Sequence, residues 1–286
     1  MNILGLDIGG SSIKLSQYDL TSYSSLASIA NKDSSPKDLI SKLKTRFGSK
    51  KFDAVGVGFP GVLSKSGEVL GSPNLPKWIG TSLKQLLEEF FSCPVYTTND
   101  ANLPLLSKFL EAPTENIALL TLGTGIGGGA YFSKQLIDGD FSGEFGHITV
   151  DSDDKIKCGW GRTGCIESYF STTGIEKRYG DSPLNFFKHV QQNQPKALQH
   201  LDLICDKLAI AISNIHSIIA PTKIYFGGGI SKSFPLFENI LKHKLSKRLI
   251  YPGLQQPQLL VLDEYDGSKG AIHLALQNHS GQPSAS

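Results

Sequence analysis

The chain has 286 residues, 40% of them hydrophobic, and a formal net charge of +2. That length holds one large domain or two moderate ones around a real core, and the near-neutral balance excludes charge as a reason to expect nucleic acid or an anionic membrane as partner. Residues 1–6 lack the charged and apolar regions of a secretory signal. The four cysteines (Cys93, Cys158, Cys165 and Cys205) are then expected to stay reduced or bind metal rather than pair, so a soluble cytoplasmic location is expected. Residues 208–221 are apolar but short and interrupted by Ser213, Asn214 and His216, too little to span a bilayer.

Residues 2–7 and 13–18 read as strands joined by Ile8-Gly9-Gly10-Ser11-Ser12, a hairpin whose tip is nearly bare backbone. A weaker strand follows at 24–30. Pro36 opens a helical pattern over 36–47, at a position where its missing N–H costs nothing. Residues 54–59 form a buried-looking strand, followed by a hairpin around 65–67, a helix at 81–91 and a strand at 95–98. The segment Thr98-Asn99-Asp100-Ala101-Asn102 falls where that strand ends and a helix begins.

The second half repeats the plan. Strands at 117–122 and 129–133 flank Gly123-Thr124-Gly125-Ile126-Gly127-Gly128, and this weak internal repeat suggests two related lobes. Helices are expected at 166–179, 201–220, 236–249 and 269–276, with strands at 223–226 and 259–262. The polar tail 277–286 should fray. Alternation of strands and helices gives an α/β protein with a mixed sheet in each lobe. The expected boundary is 1–115 against 116–286, with the last helix free to pack back on the first lobe.

Three glycine turns carry the first chemistry. Asp7, Gly9, Gly10, Ser11 and Lys14 place an aspartate beside a turn whose N–H groups suit phosphate oxygens, and Asp7 could hold Mg²⁺ through water. Gly123, Thr124, Gly125 and Gly127 form a second such turn. It joins two strands instead of opening a helix, which disfavours a dinucleotide. Gly227-Gly228-Gly229 follows a strand and precedes a helix. Asp100 is either an N-cap or a carboxylate at the carboxyl end of a strand, where α/β sheets bind ligands, with Asn99 beside it.

The segment from Gly143 to Glu167 is the richest. It holds Glu144, His147, Cys158, Cys165 and Glu167 among glycines. Carboxylates and imidazole suit a ligand rich in hydroxyls, and a histidine with two cysteines suits Zn²⁺. Cys93 and Cys205 read as buried thiols and His216 as an interior histidine. The lysines and arginines at 42–51 and 242–248 read as solvated helix faces.

The motifs DIGGSSIK, TNDAN, LGTGIGGG, GEFGH, CGWGRTGCIE and GGGIS occur in an order and spacing that resemble the ROK family of sugar kinases and repressors, from residue 3 to about residue 276. The resemblance implies the actin-like, hexokinase-type fold, two RNase H-like lobes with mixed sheets around a central cleft. It implies ATP with Mg²⁺, two phosphate turns at 7–14 and 123–128, and Gly228, Gly229 and Gly270 near adenosine. Asp100 would be the catalytic base, and Asn74, Asn99, Glu144, His147 and Glu167 would contact sugar hydroxyls. The expected reaction is phosphorylation of the 6-hydroxyl of an aldohexose, glucose first and N-acetylglucosamine or N-acetylmannosamine next, by a homodimer. A polyphosphate-dependent glucokinase and a non-catalytic sensor or repressor are the alternatives. The repressor is disfavoured because Asp7 already lies in the first strand, leaving no helix-turn-helix ahead of it.

One departure concerns zinc. The family pattern has Cys-x-Cys where this chain has Cys158-Gly159-Trp160, so His147, Cys158 and Cys165 give three ligands where a structural site wants four. Zinc completed by water or by Asp151, Asp153 or Asp154, weak occupancy, and a metal-free loop packed by Trp160 all remain open, with a weakened or absent metal favoured.

Overall fold

The computed structural model describes residues 1–286 except 11, 32–33, 73–74, 114, 138–142, 251–255 and 280–286. Ser11 and Asn74, both expected in the site, lie outside the described residues. The chain divides into two compact units, Met1–Pro113 with Asp263–Ser286, and Thr114–Leu262.

In the first unit β1 (Ile3–Ile8), β2 (Ser12–Tyr18) and β3 (Tyr23–Ala30) run as an antiparallel meander. Helix α1 (Pro36–Phe47) leads to β4 (Ala54–Phe59), and β5 (Val62–Leu63) and β6 (Val69–Gly71) form a small hairpin. Helix α2 (Leu83–Phe91) leads to β7 (Val95–Asn99), and α3 (Asn102–Glu111) follows. The sheet order is β3-β2-β1-β4-β7, with β1, β4 and β7 parallel. Strand β4 is buried at every residue, as a parallel strand covered on both faces must be. Helix α1 starts where a capping box allows it. The Ser35 hydroxyl accepts from the Asp38 N–H and the Asp38 carboxylate accepts from the Ser35 N–H, so two otherwise orphaned donors are satisfied.

The second unit repeats this plan. Strands β8 (Ile117–Leu122), β9 (Ile126–Phe132) and β10 (Gln135–Leu136) form the meander. Helices α4 (Glu167–Phe170), α5 (Thr172–Tyr179), α6 (Pro183–Gln191) and α7 (Pro195–Ile219) precede β11 (Lys223–Gly227), and α8 (Phe234–Ser246) precedes β12 (Gln258–Val261). The order β10-β9-β8-β11-β12 matches the first sheet in direction and connection. Helix α9 (Asp266–His279) closes the chain inside the first unit, against α3, β1 and β4. Its approach is close because a Cβ at Gly56 would lie 1.7 Å from the Ala271 carbonyl oxygen.

The sequence expectations differ from the structure at several places, and helix α7 starts at Pro195, six residues ahead of the expected 201. The helix expected over 166–179 breaks at Ser171, whose backbone is extended. There the Ser171 hydroxyl donates to the Glu167 carbonyl and accepts from the Gly174 N–H, capping a new helix. Helix α6 was not expected, although Ser182 caps it and Pro183 opens it. Strand β9 begins at Ile126 rather than residue 129, because Gly127, Gly128 and Gly129 pair with β8; the turn proper is only residues 123–125.

Candidate active site

Parallel strands bring the acidic residues together. Asp7 sits near the end of β1, in register with Lys14 on β2 and with Gly58 on β4. Asp100 follows β7 directly, and a Cβ on Gly58 would lie 3.1 Å from the Asp100 Cα. The absent side chain at residue 58 leaves room between the two carboxyls, which flank β4 closely enough for the Asp7 charge to act on Asp100. Burial pushes the Asp7 carboxyl up to about 6, with Lys14 pulling it back down. Burial and then the neighbouring Asp7 charge push Asp100 up to about 7. Two like charges sharing a desolvated site resist simultaneous ionisation, and a carboxylate held near neutrality is suited to proton transfer.

Asp100 is not the helix cap. The α3 cap is Ala101, and no side chain caps it. Asn99 takes the local bonding instead. Its Oδ1 accepts from the Ala101 N–H at 2.9 Å and its Nδ2 donates to the Gly61 carbonyl at 2.9 Å, so Asn99 fixes the turn that carries Asp100. Gly267, at the start of α9, touches the other carboxylate. A Cβ there would come within 2.2 Å of Asp7 Oδ2, a residue the sequence reading passed over.

Turn 1 crosses from Ile8 to Ser12, with the Gly9 N–H donating to the Ser12 carbonyl at 2.9 Å. Turn 2 is held from several sides. The Gly123 N–H donates to the Gly125 carbonyl, the Thr172 N–H to the Gly123 carbonyl, and the Thr173 hydroxyl to the Thr124 carbonyl. The Gly127 N–H donates to the Thr121 hydroxyl at 3.1 Å. Gly228 has φ +84° and lies over Leu122, and the Ser231 hydroxyl donates to its carbonyl; Gly229 beside it has open space where a Cβ would be. Gly270, expected beside adenosine, is buried on α9, where a Cβ would meet the Leu103 carbonyl oxygen at 1.8 Å.

Glu167 opens α4 and is 8% exposed. Its Oε1 accepts from the Gly159 N–H at 2.8 Å and its Oε2 from the Ile126 N–H at 3.1 Å. One carboxylate therefore joins turn 2 to the cysteine loop. Glu144 is half-exposed and lies 3.8 Å from His147 Nε2. The other ring nitrogen, Nδ1, is buried with no hydrogen-bond partner among the described residues. One ligand atom each from His147, Cys158 and Cys165 lies within 4.8 Å of the others. An imidazole with an unpartnered nitrogen, grouped with two buried cysteines, fits a thiophilic divalent ion. Asp151 and Asp154 are committed elsewhere, Asp151 to Lys207 and the Tyr169 hydroxyl, Asp154 to Arg178 and the Ser168 hydroxyl. Trp160 is 69% exposed, its ring edge-on to His147 at 6.1 Å, so it does not pack the loop as a core residue.

The basic run at 242–248 is largely neutralised rather than merely solvated. Lys242 pairs with Glu238, Lys244 with Asp202 and Asp206, and Arg248 with Asp206.

A duplicated five-stranded sheet, glycine hairpins and acidic residues at the carboxyl ends of parallel strands define a protein of the actin-like ATPase fold. A ROK-family glucokinase from Streptomyces griseus, solved in complex with glucose and AMPPNP, superposes with a TM-score of 0.75 at 24% identity, covering 97% of this chain and 100% of that one. The ROK family model matches residues 3–278, and the chain belongs to that family. It is 29% identical to an N-acetyl-D-glucosamine kinase of Pectobacterium carotovorum, over 96% of this chain and 99% of that protein. It is 32% identical to a glucokinase of Halalkalibacterium halodurans over 68% of each.

Proposed function

We propose that this chain is an ATP-dependent hexose kinase in which Asp100 is the general base for the attacking sugar hydroxyl. The observation that carries the reading is the Asp7 and Asp100 pair, two desolvated carboxyls held toward neutrality at the ends of two parallel strands that flank β4. Asp100 accepts the hydroxyl proton as the oxygen attacks the γ-phosphoryl group, a contribution of roughly 10²–10⁴-fold. Phosphoryl transfer otherwise asks mainly for positioning and charge neutralisation. The backbone N–H groups of turns 1 and 2 supply both, together with Lys14. Asp7 is the residue that would hold Mg²⁺, whose charge neutralises phosphate oxygens when bound.

Asn99, Glu144, His147 and Glu167 are assigned to the sugar hydroxyls, each beyond its structural bonds. Glu167 retains acceptor capacity after its two N–H bonds, since an ionised carboxylate has about four lone-pair sites. The acceptor is a 6-hydroxyl. The name of the full-length Pectobacterium relative favours N-acetyl-D-glucosamine, and the glucokinase relative keeps glucose as the second reading. The neutralised run at 242–248 offers little for a polyphosphate chain.

His147, Cys158 and Cys165 would hold Zn²⁺ with three protein ligands, a weaker set than four. The ion's role would be structural, steadying the imidazole from its Nδ1 side while Nε2 stays toward Glu144. A homodimer in the cytoplasm completes the reading, following the family resemblance.

A coupled phosphorylation assay tests the proposal with glucose, N-acetylglucosamine, N-acetylmannosamine, mannose and fructose, each with MgATP and with polyphosphate. Turnover of one hexose with MgATP is expected. Turnover with polyphosphate alone would reassign the donor, and sugar binding without any turnover would make the chain a sensor.

A further inference from the structure

Asn31 follows the end of β3 with its side chain fully buried, 0% exposed. Its Nδ2 donates to the Gly9 carbonyl at 2.7 Å. Its Oδ1 is buried and has no hydrogen-bond partner among the described residues. Because the partner is a carbonyl, the amide can only face it through its NH₂ end. An orphaned buried acceptor is destabilising, so a side chain retained with one needs another explanation.

The geometry of the peptide supplies it. A trans peptide is planar, and its C=O and N–H point in opposite directions. Holding the Gly9 carbonyl on the buried Asn31 therefore turns the Gly10 N–H the other way, outward from the interior. Neither residue 9 nor residue 10 has a Cβ to shield that donor. The Gly9 N–H donates to the Ser12 carbonyl, which fixes the preceding peptide; among the described residues the Gly9–Gly10 peptide is held by Asn31.

We propose that Asn31 is a positioning residue for turn 1, pinning the Gly9–Gly10 peptide so that the Gly10 N–H is presented to a phosphate group of the donor. This rests on the reading of residues 7–14 as a phosphate turn. Without Asn31 the carbonyl is released, and the peptide flip it then favours presents an oxygen, not a donor, to the phosphate.

Asn31→Leu and Asn31→Ala test this against wild type. The leucine keeps the volume and removes both the donor and the orphaned acceptor; the alanine makes room for a water to hold the carbonyl. For each protein the rate is measured as a function of MgATP, sugar affinity is measured by calorimetry without nucleotide, and Tm is recorded. Asn31→Leu is expected to lose about 10- to 100-fold in kcat/KM for MgATP, below the roughly 10²–10³-fold of removing one such donor outright, because the Gly10 N–H is misdirected but still present. Its sugar affinity should be unchanged, and Asn31→Ala should lose less. Donor kinetics equal to wild type in both folded variants would overturn the proposal. So would parallel losses of sugar and donor binding, which would make Asn31 a general packing residue. If wild type binds sugar but transfers no phosphoryl group from MgATP, the kinase reading fails in the wild-type control and takes this role with it, a result distinct from silent variants of an active enzyme.

Discussion

Asp100 and Glu167 are both desolvated carboxyls beside glycine-rich backbone, yet they have opposite environments. Glu167 accepts two backbone N–H bonds, one from each of the segments it joins. Burial, and then the charge of the neighbouring carboxyl Asp7, raise the Asp100 pKa to about 7. A buried carboxylate surrounded by N–H donors is satisfied and acts as a brace. One that faces another carboxylate in a dry site is held near neutrality, ready to exchange a proton. Sequence proximity to glycine marks both; the second carboxyl beside Asp100 and the two bridging N–H bonds of Glu167 distinguish them.

The comparison breaks most readily at Asp100. Asp100→Asn should lower kcat by about 10²–10⁴-fold with sugar binding kept, read by steady-state kinetics and calorimetry. The same variant should be more stable than wild type in alkaline buffer. The folded pKa of Asp100 lies above its unfolded value, so the stability it contributes is present at low pH and is lost as pH rises through about 7. Asparagine has no such loss, so the Tm difference should be greatest at alkaline pH and shrink as pH falls below 7. For wild type, kcat/KM for sugar should rise with pH through about 7. A flat profile would remove Asp100 from the role of base.

Gly267→Ala sharpens the other half of the pair. Its Cβ would meet Asp7 Oδ2 at 2.2 Å, forcing the carboxylate to move. We expect a loss of about 10- to 100-fold in kcat/KM for MgATP, since displacements near 1 Å at a reacting centre have effects of that size. Sugar affinity should hold. Glu167→Ala tests the brace and should cost about 2 kcal/mol in denaturant unfolding, because it orphans the buried Ile126 N–H and removes the bond to the Gly159 N–H at the loop surface. Turnover of the folded fraction should fall as well, since turn 2 and the cysteine loop lose their link. Asp100→Asn and Glu167→Ala thus shift stability in opposite directions at alkaline pH.

The smallest effect is expected at Cys158→Ser, about 1 kcal/mol of stability, with kinase activity largely kept. Metal analysis of wild type should find zinc that a chelator removes readily. One tightly held zinc per chain would show that a fourth ligand completes the set.

Much of the plan was legible in the sequence because it is local. The hairpin of β1 and β2, the Pro36 start of α1 and the fully apolar β4 each follow from periodicity and from residues a few positions apart. Even the duplication is visible, since strand, glycine turn and returning strand recur in both halves. The site residues Asp7, Asp100, His147, Cys158, Cys165 and Glu167 could be listed from motifs, and the structure brings Asp7 to Asp100 and His147 to the two cysteines.

What only the tertiary structure decided is long-range. The sequence alone determined which residues carry charge, sulfur or no side chain. It left undecided that α9, 14 residues from Asp266 to His279, folds back on the first unit so that Gly267 abuts Asp7. It did not show that Asn31 reaches back to Gly9, 22 residues away. Nor did it show that Glu167 spends both oxygens on backbone rather than leaving them open. Propensity and pattern operate over one or two turns of chain, whereas burial, hydrogen-bond partners and the charges that set a pKa come from whichever segments the core brings together.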